Sequence, residues 1–316
     1  MTLASNVMGI DVSCGRLDSF AHPLGGRRGY SNSPAGIARL VDTAVELQAF
    51  VVLEATAPYD QALIRALERA DLRFHRANPR KARDFARSAG FLAKTDRVDA
   101  RMLAAYGAAL PLTPTRHVGA EALKLQELTA RRDQLVEMRK GERTRRAAKP
   151  ASFLADSLDE VIGVLDRQIR RMEAEIAALI EASPALAADA ALLRSAPGVG
   201  PVTAAVLLAA LPELGELSRR AVAALAGLAP LSCDSGALKG TRRIWGGRKR
   251  VRDALYMAAL SAIRRGRFYH AAYAKLRTAG KSFKQALIAI ARKLLVALNA
   301  AIRDRQPFHP FHAQTA

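Results

Sequence analysis

VMGIDV at Val7–Val12 and FVVLEA at Phe50–Ala55 decide the fold. Each is a short apolar run rich in β-branched residues, and each reads as a buried strand carrying one acid. Between them, PAGIARLVDTAVEL (34–47) has apolar residues at helical spacing. Pro58–Ala70 is a helix with proline near its start, where the missing N–H costs nothing. LRFHRA (72–77) reads as a third strand and Pro79–Ala89 as another helix. TDRVDARMLAAYGAAL (95–110) is a helix whose Thr95 or Asp96 can cap the first turn. Strands alternating with helices predict an α/β domain over residues 1–112.

From 113 to 187 the pattern is helical and strongly charged. Leu158, Val161, Leu165, Ile169, Met172, Ile176 and Leu179 step by three and four, the seam of a coiled-coil or hairpin arm. A basic stretch, Arg139–Lys149, ends at Pro150 near the expected hairpin tip. It is either a solvated structural arm or a dimerisation arm that also touches a phosphate backbone. Residues 188–305 read as a mostly helical domain with one long Gly-rich interruption, and 306–316 as a disordered tail. The fold class is therefore α/β plus α.

The chain has 316 residues, with 49 Lys+Arg against 29 Asp+Glu, a formal net charge of +20. Half of it is apolar, so intrinsic disorder is excluded and a polyanionic partner, nucleic acid before membrane, is expected. The apolar run Val202–Leu211 is too short to span a bilayer. No basic segment precedes a long apolar stretch at the amino terminus, so a cytoplasmic protein is expected. Cys14 and Cys233 form no disulfide framework, and the six histidines lack metal-ligand spacing.

Asp11 and Glu54 lie inside apolar strand runs, where an ionised carboxylate is expensive unless paired or bound to a metal. Asp96 and Asp99 are three apart, on one face of a helix. Taken singly, Asp96 also reads as a helix cap and Asp99 as a surface partner of Arg97 or Arg101. Together the four acids form an oxygen-rich set suited to Mg²⁺, which can hold the attacking and leaving oxygens of a phosphoryl displacement.

In the last region, LLRSAPGVGPVTAAVLLAAL (192–211) holds PGVG between two helical segments, the pattern of a helix-hairpin-helix. Gly198 and Gly200 would let backbone approach a phosphate; the alternative is a turn joining two core helices. Further on, Lys239, Arg242, Arg243, Arg248, Lys249, Arg250 and Arg252 fall in an acid-free stretch with Trp245 and Gly246-Gly247, the composition of a phosphate cradle. Ser232 and Ser235 lie just before it as candidate nucleophiles, though a loop serine is usually structural.

GIDVS (9–13), VVLEATAPY (51–59), AKTDRVDARMLA (93–104) and GLAPLSCDSGALKG (227–240) together resemble the DEDD-type insertion-sequence transposases, bridge-RNA-guided serine recombinases of bacterial mobile elements. The resemblance covers essentially the whole chain. It implies an RNase H-like (RuvC-like) first domain with Asp11, Glu54, Asp96 and Asp99 as the metal-binding tetrad. It also implies a carboxy-terminal transposase domain with Ser235 as nucleophile and Ser232 as fallback. Donor and target DNA, a structured bridge RNA and a homo-oligomer would be the partners, with no membrane. Two other readings stay open on the residues alone: a RuvC-like junction endonuclease using metal-activated water, and a non-catalytic nucleic-acid-binding protein.

Overall fold

A computed structural model describes residues 6–56, 58–91, 96–116, 119–149, 151–232, 242–264 and 267–309, with backbone alone at 96–98, 231, 232 and 242. The chain forms two compact units, Met1–His117 and Val118–Ala316.

The first unit contains β1 (Val7–Val12), β2 (Arg16–His22), β3 (Arg27–Ser31), α1 (Pro34–Glu46), β4 (Phe50–Glu54), α2 (Gln61–Arg69), β5 (Phe74–Ala77), α3 (Pro79–Ser88) and α4 (Asp96–Ala109). The sheet order is β3-β2-β1-β4-β5. β1 pairs antiparallel with β2 and parallel with β4, which is parallel to β5. A three-stranded meander continued by two parallel crossover strands is the RNase H-like fold. The β2–β3 hairpin was absent from the sequence reading. Its strands, RLDSFAH and RRGYS, carry charge at positions that hide any alternation.

Apolar side chains cover both sheet faces, which is why β1 and β4 read as unbroken hydrophobic runs. Met8, Ile10 and Leu53 pack with Ile37 and Leu40 of α1 and Leu63 and Leu67 of α2. Val7, Phe50 and Val52 pack on the other face with Ala82 of α3 and Met102, Leu103 and Tyr106 of α4. α4 lies very close to the strands. A Cβ on Gly9 would collide with the Ala100 carbonyl oxygen and the Ala104 amide nitrogen, and one on Gly107 would lie 2.7 Å from methyls of Val7 and Val52.

The second unit contains α5 (Ala120–Ala147), α6 (Ser152–Ala182), α7 (Pro184–Arg194), α8 (Pro201–Ala210), α9 (Arg219–Leu225), β6 (Pro230–Ser232), β7 (Arg242–Ile244), α10 (Lys249–Ala262), α11 (His270–Thr278) and α12 (Phe283–Asp304). α5 and α6 form an antiparallel hairpin that buries Leu135, Leu165 and Ile169. Ion pairs flank this seam in steps of seven: Arg132 with Glu173, Arg139 with Asp166, Arg146 with Asp159. Steps of seven run in opposite directions along the two helices, as a heptad register requires.

α12 is the axis of the carboxy-terminal core, with Leu287, Ile290, Leu294, Leu298 and Ile302 buried against α7 to α11. It is long and apolar enough to cross a membrane, yet 72% of its apolar window is buried inside the fold. Arg292 and Lys293 interrupt its apolar residues, so the longest apolar run in the sequence is the shorter one at 202–211. The disordered tail expected over 306–316 is corrected for its first residues: Phe308 packs edge-on to Phe268 at 5.3 Å, and its amide donates to Ser195 Oγ at 2.7 Å, while 310–316 lie outside the described residues.

Candidate active site

Strand register sets the geometry around Asp11. Ile10 of β1 is the parallel partner of Leu53 of β4, so Asp11 and Glu54, one residue further along, sit side by side at the carboxyl ends of adjacent strands. By the alternation of a strand they share the face of Gly9 and Val52, the face covered by α4. α4 runs antiparallel to β1. Gly107 meets Val7, and Ala104 and Ala100 meet Gly9, so the next turn back, carrying Asp99 and Asp96, arrives beside Asp11. Asp11, Glu54 and Asp99 are half-buried; the side chain of Asp96 lies outside the described residues. The sequence marked the acids but not Gly9, whose missing Cβ lets the helix come down onto the strand.

Asp18 is an acid that the sequence reading passed over. It is the direct cross-strand partner of Asp11, on the same face, and is only 3% exposed. Arg16 Nε donates to its Oδ2 at 2.9 Å and Arg27 Nη2 to its Oδ1 at 2.6 Å. Burial pushes this carboxyl up, but the hydrogen bonds and charges of the two arginines outweigh it and hold the group below the usual carboxylate range. Asp60, fully buried at the start of α2, is closed by Arg76 Nε at 2.7 Å.

The acids at the end of β1 and β4 offer oxygen donors of the kind a hard divalent cation takes. Among the described residues, no three His, Cys, Asp or Glu side chains converge as a ready-made metal site.

In the second unit the expected nucleic-acid residues divide. Gly198 has φ +85, and a Cβ there would strike the Ala258 carbonyl oxygen; this glycine admits α10, and only Gly200 is open. Arg248 grips Glu213 with both guanidinium nitrogens, at 2.5 and 2.6 Å, and donates to the Ala210 carbonyl. Arg250 donates to Asp133 of α5 at 2.8 Å, and Arg252 to the Gly246 carbonyl at 2.7 Å. Gly247 packs against the backbone of Gly227. Arg243, Lys249 and Trp245 are exposed. β6 and β7 pair Ser232 with Arg242 at the end of a ribbon. Ser235 and Lys239 lie outside the described residues, as do the side chains of Ser232 and Arg242.

Two family profiles match this chain: a DEDD transposase profile of the IS110 group over residues 9–149, and the "Transposase IS116/IS110/IS902 family" over 190–275. The chain is 29% identical to a pilin gene-inverting protein of Moraxella bovis across 97% of this chain and 98% of that one. It is 31% identical to the corresponding protein of Moraxella lacunata across 82% and 81%. The chain belongs to the IS110 family of transposases. As a member of that family it is an enzyme of DNA transposition and recombination, and DNA is its partner. A solved Thermus thermophilus RuvC in complex with a Holliday junction substrate covers 35% of the transposase chain and 99% of its own, at 14% identity and a TM-score of 0.28. The RNase H-like assignment comes from the sheet order itself.

Proposed function

We propose that this transposase cuts and rejoins DNA through a covalent serine–DNA phosphodiester, with Asp11, Glu54, Asp96 and Asp99 as a metal-binding tetrad and Ser235 as nucleophile. The observation that supports it most is the shared register of Asp11 and Glu54 beneath the amino-terminal turns of α4. Three separate chain segments bring carboxylates to one edge of the sheet, the oxygen-rich donor set that a hard divalent cation takes.

A divalent cation, Mg²⁺ in this reading, would supply Lewis-acid stabilisation of charge on the scissile phosphate. The chain's own groups do the rest. Ser235 Oγ forms the new P–O bond while the bond to the leaving sugar oxygen breaks. The serine proton passes to a carboxylate and the leaving oxygen gains one. Exposed cations such as Arg243 and Lys249 hold the phosphate backbone. Rejoining reverses the step with a different sugar hydroxyl. A structured bridge RNA choosing both donor and target by base pairing, and a dimer or tetramer acting in the cytoplasm with acids and serine from different protomers, complete the reading.

Trapping the reaction under denaturing conditions tests it. A DNA-linked peptide containing Ser235 is expected by mass spectrometry, lost in Ser235→Ala. Asp11→Asn is expected to lower strand cleavage about a thousandfold or more, since metal-assisted stabilisation contributes several kcal/mol. Active enzyme that releases only protein-free DNA ends, with Ser235→Ala still active, would replace this reading with metal-activated hydrolysis.

A further inference from the structure

Between Asp253 and Asp304 the sequence contains no acid, yet Lys and Arg recur throughout. Arg264, Arg267, Lys275, Arg277, Lys281 and Lys284 are all exposed. Among the described residues none of these six is ion-paired with an acid. They follow the turn after α10, the length of α11 and the turn into α12. Elsewhere in this helical unit, Arg132, Arg139, Arg143 and Arg146 of the arm and Arg248 and Arg250 at the start of α10 each meet a carboxylate.

The corner where α11 meets α12 is held firmly. Gly280 turns the chain at φ +79, and Arg277 Nη1 donates to the Lys281 carbonyl at 3.2 Å. Tyr273 and Phe283 pack edge to face at 6.2 Å, fastening one helix to the other. Ser282 and Gln285 complete a capping box at the start of α12. Lys284, Ile288 and Arg292 then lie four apart on one stripe of that helix. Rigid placement matters because a cation that needs no ordering loses less entropy on meeting its ligand.

We propose that this corner is a second DNA-holding surface of the transposase, separate from the Lys239–Arg252 segment, and that Lys275, Arg277, Lys281 and Lys284 contact the phosphate backbone of duplex DNA. A polyphosphate suits the array better than a protein partner does. Its charge repeats about every 1.7 Å along the duplex, so cations spread over two helices and a turn all find a partner at once. Contacts of these cations to phosphate supply affinity and orientation without sequence choice. The proposal needs only the DNA partner of the family and stands even if no serine–DNA bond forms.

The test uses the full chain and a fluorescein-labelled duplex of random sequence, with anisotropy titrations across a range of KCl concentrations. The variant K275Q/R277Q/K281Q/K284Q removes four exposed cations and no core atom. Its log K against log[salt] slope is expected to fall by about three to four, at roughly 0.9 per phosphate contact, with affinity about a hundredfold lower at low salt. The charge-conserving K275R/R277K/K281R/K284R is expected to keep both. If the fourfold variant unfolds, K281Q/K284Q is expected to lower the slope by about two. An unchanged slope and affinity for duplex DNA overturns the proposal, and so does a loss confined to an RNA hairpin probe.

Discussion

Along the arm, Arg132, Arg139 and Arg146 of α5 face Glu173, Asp166 and Asp159 of α6, and Arg143 joins Asp166 as well. Two well-exposed cations of α5 also have an acid one turn away, Lys140 with Glu137 and Arg145 with Glu142. At the α11–α12 corner, cations of the same kinds have no such acid among the described residues. The two regions would look alike to any count of Lys and Arg. They differ in where the carboxylates fall, and that decides whether positive charge closes a hairpin or stays available to a polyanion. The net charge of +20 is therefore unevenly usable across this molecule.

Converting the arm into the other kind of surface is the strongest way to break the comparison. The variant D159N/D166N/E173Q keeps the side-chain shapes and releases Arg139, Arg143 and Arg146, while Arg132 keeps only its longer contact with Asp133. Its duplex affinity is expected to rise at low salt by about tenfold or more, with a salt slope steeper by about two to three. The hairpin also loses its interhelical pairs, so its thermal midpoint falls. Asp166 adds a pH signature, since hydrogen bonding and charge from Arg139, with Arg143 and Arg170 behind it, hold its carboxyl below the ordinary value. Its pairing is present above the unfolded carboxylate value of about 3.9 and is lost as pH falls through the lower folded value. Salt titrations superimposable on those of the parent would show that ion pairing does not silence the arm.

Much of this was legible beforehand, and the misses have physical causes. Asp11 and Glu54 stood out because an acid inside a run such as VMGIDV has no apolar justification. Asp18 did not, because its strand is broken up by Arg16 and His22, and the arginines that satisfy it come partly from the neighbouring strand. Gly198 was read as an opening for phosphate, but its positive φ and missing Cβ admit the backbone of α10. A local motif cannot say which polar or backbone neighbour it admits. Arg248 and Arg250 belonged to the densest basic run, and their partners Glu213 and Asp133 lie far away in sequence. The acid-free stretch after Asp253 was visible in the letters alone. Density drew attention to 239–252, where the absence of nearby acids over a long span was the better signal.

The first unit allows the same contrast to be sharpened among acids. Asp18 is engaged by two arginines, so Asp18→Asn is expected to cost about 1–3 kcal/mol at neutral pH, the range for hydrogen bonds to a charged group. Because the folded carboxyl sits below its unfolded value, this contribution is full above about pH 4 and disappears as pH falls through the folded value. Urea unfolding of the parent and variant should therefore converge in acid. A penalty of equal size at neutral and acid pH would mean that packing of the side chain, and not its charge, stabilises the hairpin.

The finest comparison lies between neighbours, Arg248 and Lys249. Arg248 is about one-third exposed, forks onto Glu213 and also donates to Ala210, fixing the entry to α10. Arg248→Gln is expected to cost about 1 kcal/mol of stability after allowance for partial screening. Lys249 is 78% exposed and, among the described residues, pairs with Asp253 one turn along its own helix. An exposed pair of that spacing contributes about 0.3–0.5 kcal/mol at most. Lys249→Gln should leave the urea midpoint almost unmoved while lowering the DNA salt slope by about one, the signature of a single phosphate contact. Measured on the two variants side by side, stability and affinity should move in opposite order. If Lys249→Gln proved the more destabilising and Arg248→Gln the more damaging to DNA binding, residue-by-residue ion pairing would be the wrong guide to which cations this transposase presents to DNA.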